Sequence, residues 1–186
     1  MARHANLLKR SRCGLLVVDM QEKFIPVISG MDKVIANTVL LIKAFHELER
    51  PVLVTEQYPE GLGKTCEPVR EALGTETESL TKLSFSCCEI EGFGQRLRTQ
   101  NIHQVLLCGV ESHVCIWQTA MDLLWDGFHV SVVKNAVSSR NETDRDTAFK
   151  RMTYAGIHLT TTEMALFELL ERSDDPAFKS IQAYIK

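Results

Sequence analysis

The hydrophobic positions fall into short, unbroken apolar runs separated by longer segments with helical spacing. Gly14–Val18 (GLLVV), Pro51–Thr55 (PVLVT), Val105–Cys108 (VLLC) and His129–Val133 (HVSVV) read as strands. The first and third have no polar interruption, as expected of strands buried on both faces. Glu78–Lys82 and His158–Thr160 are shorter strand candidates. Between these runs apolar residues recur every three or four positions. Val34, Ile35, Leu41, Ile42, Phe45 and Leu48 mark a helix over 31–49, and 90–100, 116–125, 143–155 and 163–171 are helical too. A Gly/Pro loop reaches Pro68 and leads into a short helix ending at Leu73, and a last short helix runs from Pro176. Gly156 stops the 143–155 helix, whose start gathers Glu142, Asp144 and Asp146, the charge the macrodipole favours there. Strand and helix alternate without repeat or linker. The pattern predicts an α/β fold, one domain over 1–186, in three α/β/α layers with a doubly wound, six-stranded, mostly parallel sheet.

In such a sheet the carboxyl ends of the strands share one edge, where open α/β folds bind ligands. Asp19, Glu56-Gln57-Tyr58, Lys82 and Glu111 to Cys115 all follow strands and converge there from separate parts of the chain. Gly109 is expected to break the fourth strand and Ser112 to cap the next helix, which puts Cys115 in its first turn. A helix start and a nearby ammonium lower a thiol's pKa, so Cys115 is a candidate nucleophile and Lys82 its stabilising cation. Asp19 can take the thiol proton and return it to a leaving group. Backbone N–H groups around Glu111 and Cys115 can hold a developing oxyanion. Taken singly these residues have plainer readings: a small core cysteine, a strand-end cap, a solvated lysine. Their convergence is what points to chemistry.

Around them, Gln21 is placed to hydrogen-bond near Asp19, or to serve as a cap. Glu56, Gln57 and Tyr58 read either as pocket lining or as a loop held by Pro59. Phe85 and Trp117 are either pocket wall or core, with core the default. His113 reads as an exposed turn histidine, and Cys87 and Cys88 as buried bystanders. Gly63-Lys64-Thr65 imitates the end of a phosphate-binding loop, but Tyr58 stands where its first glycine belongs.

Composition narrows the function classes. The net charge of −3 argues against nucleic acid as the main partner, since phosphate contacts need clustered basic residues. The basic residues free of acids, Arg3, His4, Lys9, Arg10 and Arg12, read as a frayed, solvated arm, with mitochondrial import the alternative to a cytoplasmic location. No apolar run approaches the ~20 residues of a membrane span. The six cysteines lack metal spacing, and without a secretory signal they fit a reducing compartment.

The segments VVDMQEKF (17–24), TEQYPEGLG (55–63), TKLSFS (81–86), LLCGVESHVC (106–115) and SSRNETDRDTAFKRM (138–152) resemble the isochorismatase-like, or cysteine hydrolase, superfamily over nearly the whole chain. EQYP and the ending DPAFKSIQAYIK are most similar to its isochorismatase-domain-containing branch. The resemblance implies a six-stranded parallel sheet between helices, an Asp19–Lys82–Cys115 triad, a cis peptide at Val110–Glu111, and a homo-oligomer. Metal-dependent nicotinamidases of that superfamily carry Asp-x-His after the second strand; here Glu56-Gln57-Tyr58 stands there, so neither a metal nor another cofactor is expected. True isochorismatases work without the cysteine, so Cys115 favours acyl-type hydrolysis of a small amide-like molecule. Two other classes stay open: a catalytically inactive oligomeric scaffold or binding protein of the same fold, and a nucleic-acid-processing enzyme.

Overall fold

The computed structural model describes residues 3–185. Six strands, β1 (Cys13–Val18), β2 (Val52–Gln57), β3 (Ser79–Lys82), β4 (Gln104–Val110), β5 (His129–Ser138) and β6 (His158–Thr160), form one parallel sheet in the order β3-β2-β1-β4-β5-β6. The helices are α1 (Met31–Glu47), α2 (Pro59–Leu62), α3 (Glu67–Leu73), α4 (Phe93–Thr99), α5 (Trp117–Trp125), α6 (Glu142–Ala155), α7 (Thr162–Leu170) and α8 (Phe178–Ile185).

Strand pleating splits the core into two layers. Leu15 and Val17 of β1, with Leu106 and Cys108 of β4, join α1, α3, α7 and α8 on one face. Leu16 and Val18, with Val105 and Leu107, join α4, α5 and α6 on the other. Alternate residues of one apolar run thus serve opposite faces, which is why the central strands are apolar throughout. The strand order reverses direction between β1 and β4, the place where open α/β sheets leave a crevice at the strands' carboxyl ends.

Three sequence expectations are corrected. First, Gly109 does not end β4; the strand runs through it to Val110, with a register shift against β5 between Leu107 and Gly109. Gly109 has φ 114, and a Cβ there would collide with the Val18 carbonyl oxygen. Glycine is needed because the β1 and β4 backbones approach this closely, one residue before Asp19. Second, β5 continues to Ser138, so Ser139 and Arg140 reach the ligand-binding edge. Third, the basic start is not frayed. Arg3 donates to the carbonyls of Leu8 (3.1 Å) and Glu168 (2.9 Å), and Arg10 to that of Leu48 (3.1 Å) and to the Asp175 carboxylate (3.3 Å). The carbonyl groups at the ends of nearby helices supply acceptors that a reading of charge alone does not foresee. Among the described residues no helix is long and apolar enough to cross a membrane.

Gly109→Ala combines a positive φ with a backbone collision and is expected to destabilise the fold by about 3 kcal/mol. Urea denaturation checks this: the midpoint should drop at unchanged m-value.

Candidate active site

Asp19 follows β1 directly, in the left-handed region at φ 52, a conformation aspartate tolerates better than most residues. The turn brings its fully buried carboxylate over the sheet edge, where both oxygens are engaged. Thr55 of β2, whose backbone registers with Val18, donates its hydroxyl to Oδ1 at 2.8 Å. Lys82, the last residue of β3, donates from Nζ to Oδ2 at 2.7 Å. The ammonium also reaches Gln57 Oε1 at 2.7 Å and the Ser84 carbonyl at 3.4 Å. Neither side chain of the Asp19–Lys82 pair is exposed to solvent. Burial disfavours the Lys82 charge, but Asp19, joined by the neighbouring sulfurs, outweighs it and the lysine pKa is raised.

Cys115 arrives from the other side of the strand-order reversal. After the cis Val110–Glu111 peptide the chain makes a wide π-type turn, Ser112–Ile116, before α5 begins. The Glu111 carbonyl accepts from Val114 N at 3.1 Å and Ile116 N at 3.2 Å. Cys115 therefore lies in this turn rather than in the first turn of a regular helix. Ser112 does not cap: its hydroxyl is buried with no hydrogen-bond partner among the described residues. The chain enters through a widened turn, so the extended residue from which a cap reaches back lies elsewhere.

The expected depression of the thiol pKa is also corrected. Burial is the largest influence on Cys115 and raises it; the Asp19 charge raises it further, Lys82 opposes, and a hydrogen bond to Asp19 again favours the protonated form. With only 5% of the residue exposed, desolvation outweighs the attraction of Lys82, and the resting sulfur is a neutral thiol beside a carboxylate.

The other candidates divide. Gln21 is fully buried, and its amide is held by the Gln57 main chain (3.0 and 2.8 Å) and the Gly63 carbonyl (2.6 Å). Glu56 Oε1 accepts from Thr65 N and Thr65 Oγ1, both at 2.7 Å. Through these contacts both side chains brace the loop after β2. Gln57 cradles the Lys82 ammonium and donates to the Leu83 carbonyl at 2.7 Å. Tyr58, half exposed, borders a cleft of ≈410 Å³ with Pro59, Glu60, Thr81, Lys82 and Leu83. Phe85 is 52% exposed, so its core default is wrong. Trp117 is half-buried under the Arg151 guanidinium, 4.3 Å from its ring centroid.

Some contributors are not singled out by residue type. Thr55 shares its strand with apolar residues, but its backbone register beside Asp19 follows from parallel β1–β2 pairing. Cys87 is no bystander: its sulfur contacts Thr55 Oγ1 at 3.8 Å, and the charges of Asp19 and Lys82 both act on it. Burial first, then Asp19, pushes its pKa to about 11. His113 is not a free turn histidine, since its Nδ1 lies 3.0 Å from Ser139 Oγ.

Comparison with known proteins gives a family context. An isochorismatase domain model matches residues 13–164. Isochorismatase domain-containing protein 2 of Danio rerio is 43% identical over 169 residues, 90% of this chain and 84% of that protein. The Homo sapiens protein of the same name is 40% identical over 174 residues, 92% of this chain and 82% of that one. The solved structure of MAR1 ribonuclease from Caenorhabditis elegans superposes with a TM-score of 0.92 at 42% identity, covering 96% of this chain and 92% of that one.

The cysteines make an alkaline prediction. An unfolded thiol ionises near its ordinary value of 9.0, whereas burial holds Cys13, Cys88 and Cys108 up to about 12 and Cys87 to about 11. Above pH 9 the unfolded chain releases protons that the folded chain keeps. The stability present below pH 9 should therefore fall by about 1.4 kcal/mol per pH unit for each such thiol. Lys82, also raised, adds loss in the same direction at higher pH. Urea midpoints measured from pH 8 to pH 10.5 should decline steeply above pH 9; a flat profile contradicts the assignment.

Proposed function

The chain belongs to the isochorismatase family, and on that premise we propose that it is a cysteine hydrolase. It cleaves a small amide-like molecule through a covalent thioester and needs no metal. The observation carrying this reading is the buried Lys82–Asp19 pair at 2.7 Å, whose two charges both bear on the buried Cys115 sulfur.

Asp19 accepts the Sγ proton as the sulfur attacks the substrate carbonyl carbon. Lys82, paired with Asp19, offsets the sulfur's charge as it develops. Backbone N–H groups at Glu111 and Cys115 receive the oxyanion, a contribution of about 3 kcal/mol per donor in known cases. Collapse breaks the C–N bond, and Asp19 returns the proton to the departing amine. Water, giving a proton to Asp19, then cleaves the thioester and restores the thiol. No cation is required for this sequence beyond Lys82, and the Glu56 carboxylate is already engaged by Thr65.

Substrate contacts fall to the rim. Tyr58, Leu83 (77% exposed) and Phe85 present apolar surface beside the Lys82 end of the site, which suits an amide carrying a flat or aliphatic group. Gln21, Glu56 and Gln57 act beneath, by holding that rim and the ammonium. The homo-oligomer implied by the family would also cover Trp125 and Tyr154, both almost fully exposed in the isolated chain.

A second reading has its own support. The 42%-identical Caenorhabditis elegans protein is named a ribonuclease, and a separate cavity of ≈710 Å³ in this chain is bordered by Lys33, Lys134 and Arg145, cations suited to phosphate. In that reading RNA is the substrate, and cleavage does not depend on an acyl-enzyme.

A screen of small amides with ammonia or amine release as readout separates the two. Cys115→Ala should keep the parental melting temperature and lose amide hydrolysis by at least about a thousandfold. Mass spectrometry of quenched parental reactions should find the acyl group on the Cys115 peptide. Amide turnover that survives Cys115→Ala overturns the proposal, and RNA cleavage that survives it favours the second reading.

A further inference from the structure

Asp19 and Lys82 are positioned from β1, β2 and β3, with every polar atom of the pair engaged by those strands or by the segment following β3. The turn carrying Cys115 is held from elsewhere. The Glu111 carboxylate, 7% exposed, accepts at a single oxygen from Arg140 N (3.0 Å) and Arg140 Nε (3.1 Å). The His113 ring lies between two side-chain oxygens: Nδ1 is 3.0 Å from Ser139 Oγ and Nε2 is 3.9 Å from Asp144 Oδ2. Asp144 is itself fixed by Asn141 Nδ2 at 3.1 Å. The connection from β5 to α6 that provides these groups is anchored in turn: Ser139 O accepts from Ser29 N at 3.2 Å, and Ser138 Oγ donates to the Ser29 carbonyl at 2.6 Å. These contacts account for the stretch Ser138-Ser139-Arg140-Asn141, which the proposed chemistry does not use.

We propose that the β5–α6 connection positions the nucleophile: Arg140 on Glu111 and Ser139 on His113 set the Cys115 sulfur within proton-transfer reach of Asp19. This rests on the cysteine-hydrolase reading for its purpose, but not for its test. Arg140 and His113 are positioning residues, since each acts through the turn and neither is placed against the sulfur. The requirement is steep because the thiol is neutral. Attack must coincide with proton transfer to Asp19, and a misplacement of about 1 Å can lower such a rate by about a hundredfold. A wide turn also lacks the regular hydrogen-bond ladder that would fix Cys115 by itself, so side-chain anchors are needed. The pairing is not there mainly for global stability: the Arg140 side chain is 59% exposed, and solvent screens its attraction to Glu111.

The test is the second-order rate of Cys115 alkylation by acrylamide, followed on the Cys115 peptide by mass spectrometry, which needs no substrate. Arg140→Ala and His113→Ala should each slow it about tenfold while the urea midpoint of Arg140→Ala stays near that of the parent. His113→Asn, whose amide can still meet Ser139 Oγ, and Arg140→Lys should recover most of the rate. Parental rates in both alanine variants overturn the proposal, as does failure of both conservative variants to recover. Amide turnover in Cys115→Ala would instead refute the hydrolase reading and leave the alkylation result standing.

Discussion

Two opposite charges without water, Lys82 Nζ and Asp19 Oδ2 at 2.7 Å, impose the tightest constraint on this molecule. Removing either partner would strand a buried charge, at a cost of about 3–5 kcal/mol. The pair is tolerable only because its remaining hydrogen-bonding capacity is met. Thr55 takes the second aspartate oxygen, while Gln57 and the Ser84 carbonyl take the lysine. Meeting those needs dictates much of the local structure. β1, β2 and β3 must pair in register so that Thr55 and Gln57 stand between Asp19 and Lys82. The segment after Lys82 must bend back so that Ser84 turns its carbonyl inward.

The same constraint shapes the thiol. In an enclosed site, the Asp19 charge disfavours an anion at the adjacent sulfur. Burial and the Asp19 charge together exceed the pull of Lys82, and the proton stays on sulfur. An ion pair that would be a modest stabiliser at a surface sets here the charge that a buried thiol has to face. In the mechanism proposed above, activation would then be a matter of geometry, the proton passing from sulfur to carboxylate as a carbonyl carbon comes into line. The strand-order reversal between β1 and β4 suits this division. It lets Asp19 and Lys82 belong to one half of the sheet and Cys115 to the turn after β4 in the other.

Much of this is legible in the sequence. The unbroken apolar runs locate the central strands, because burial on both faces leaves no polar position to blur the pattern. Asp19 and the stretch reaching Cys115 come directly after two of those runs and Lys82 closes the shorter 78–82 strand, so all three fall on one edge by pattern alone. What stays hidden depends on the partners of single groups. Gly109 reads as a breaker until the Val18 carbonyl is found occupying the space of its missing side chain. Ser112 reads as a cap because the widening of the turn is not encoded in residue type. The thiol's protonation reads wrongly from a helix start and a lysine alone, since desolvation is a property of the surrounding volume. Phe85 reads as core by default, although the alternation after β3 could have placed it outside.

That alternation has a wider consequence. From Lys82 to Ser86 the side chains are buried at the even positions 82 and 86 and exposed at Leu83 and Phe85, while Ser84 contributes only its main-chain carbonyl to the ammonium. Side chains that serve the charge and side chains that meet the outside world are interleaved, and Leu83 joins the inner set only through its main-chain carbonyl, which accepts from Gln57. The side chains of Leu83 and Phe85 can therefore be exchanged without removing any group that meets the buried charges. One short stretch of chain in this way joins a fixed interior to a replaceable exterior.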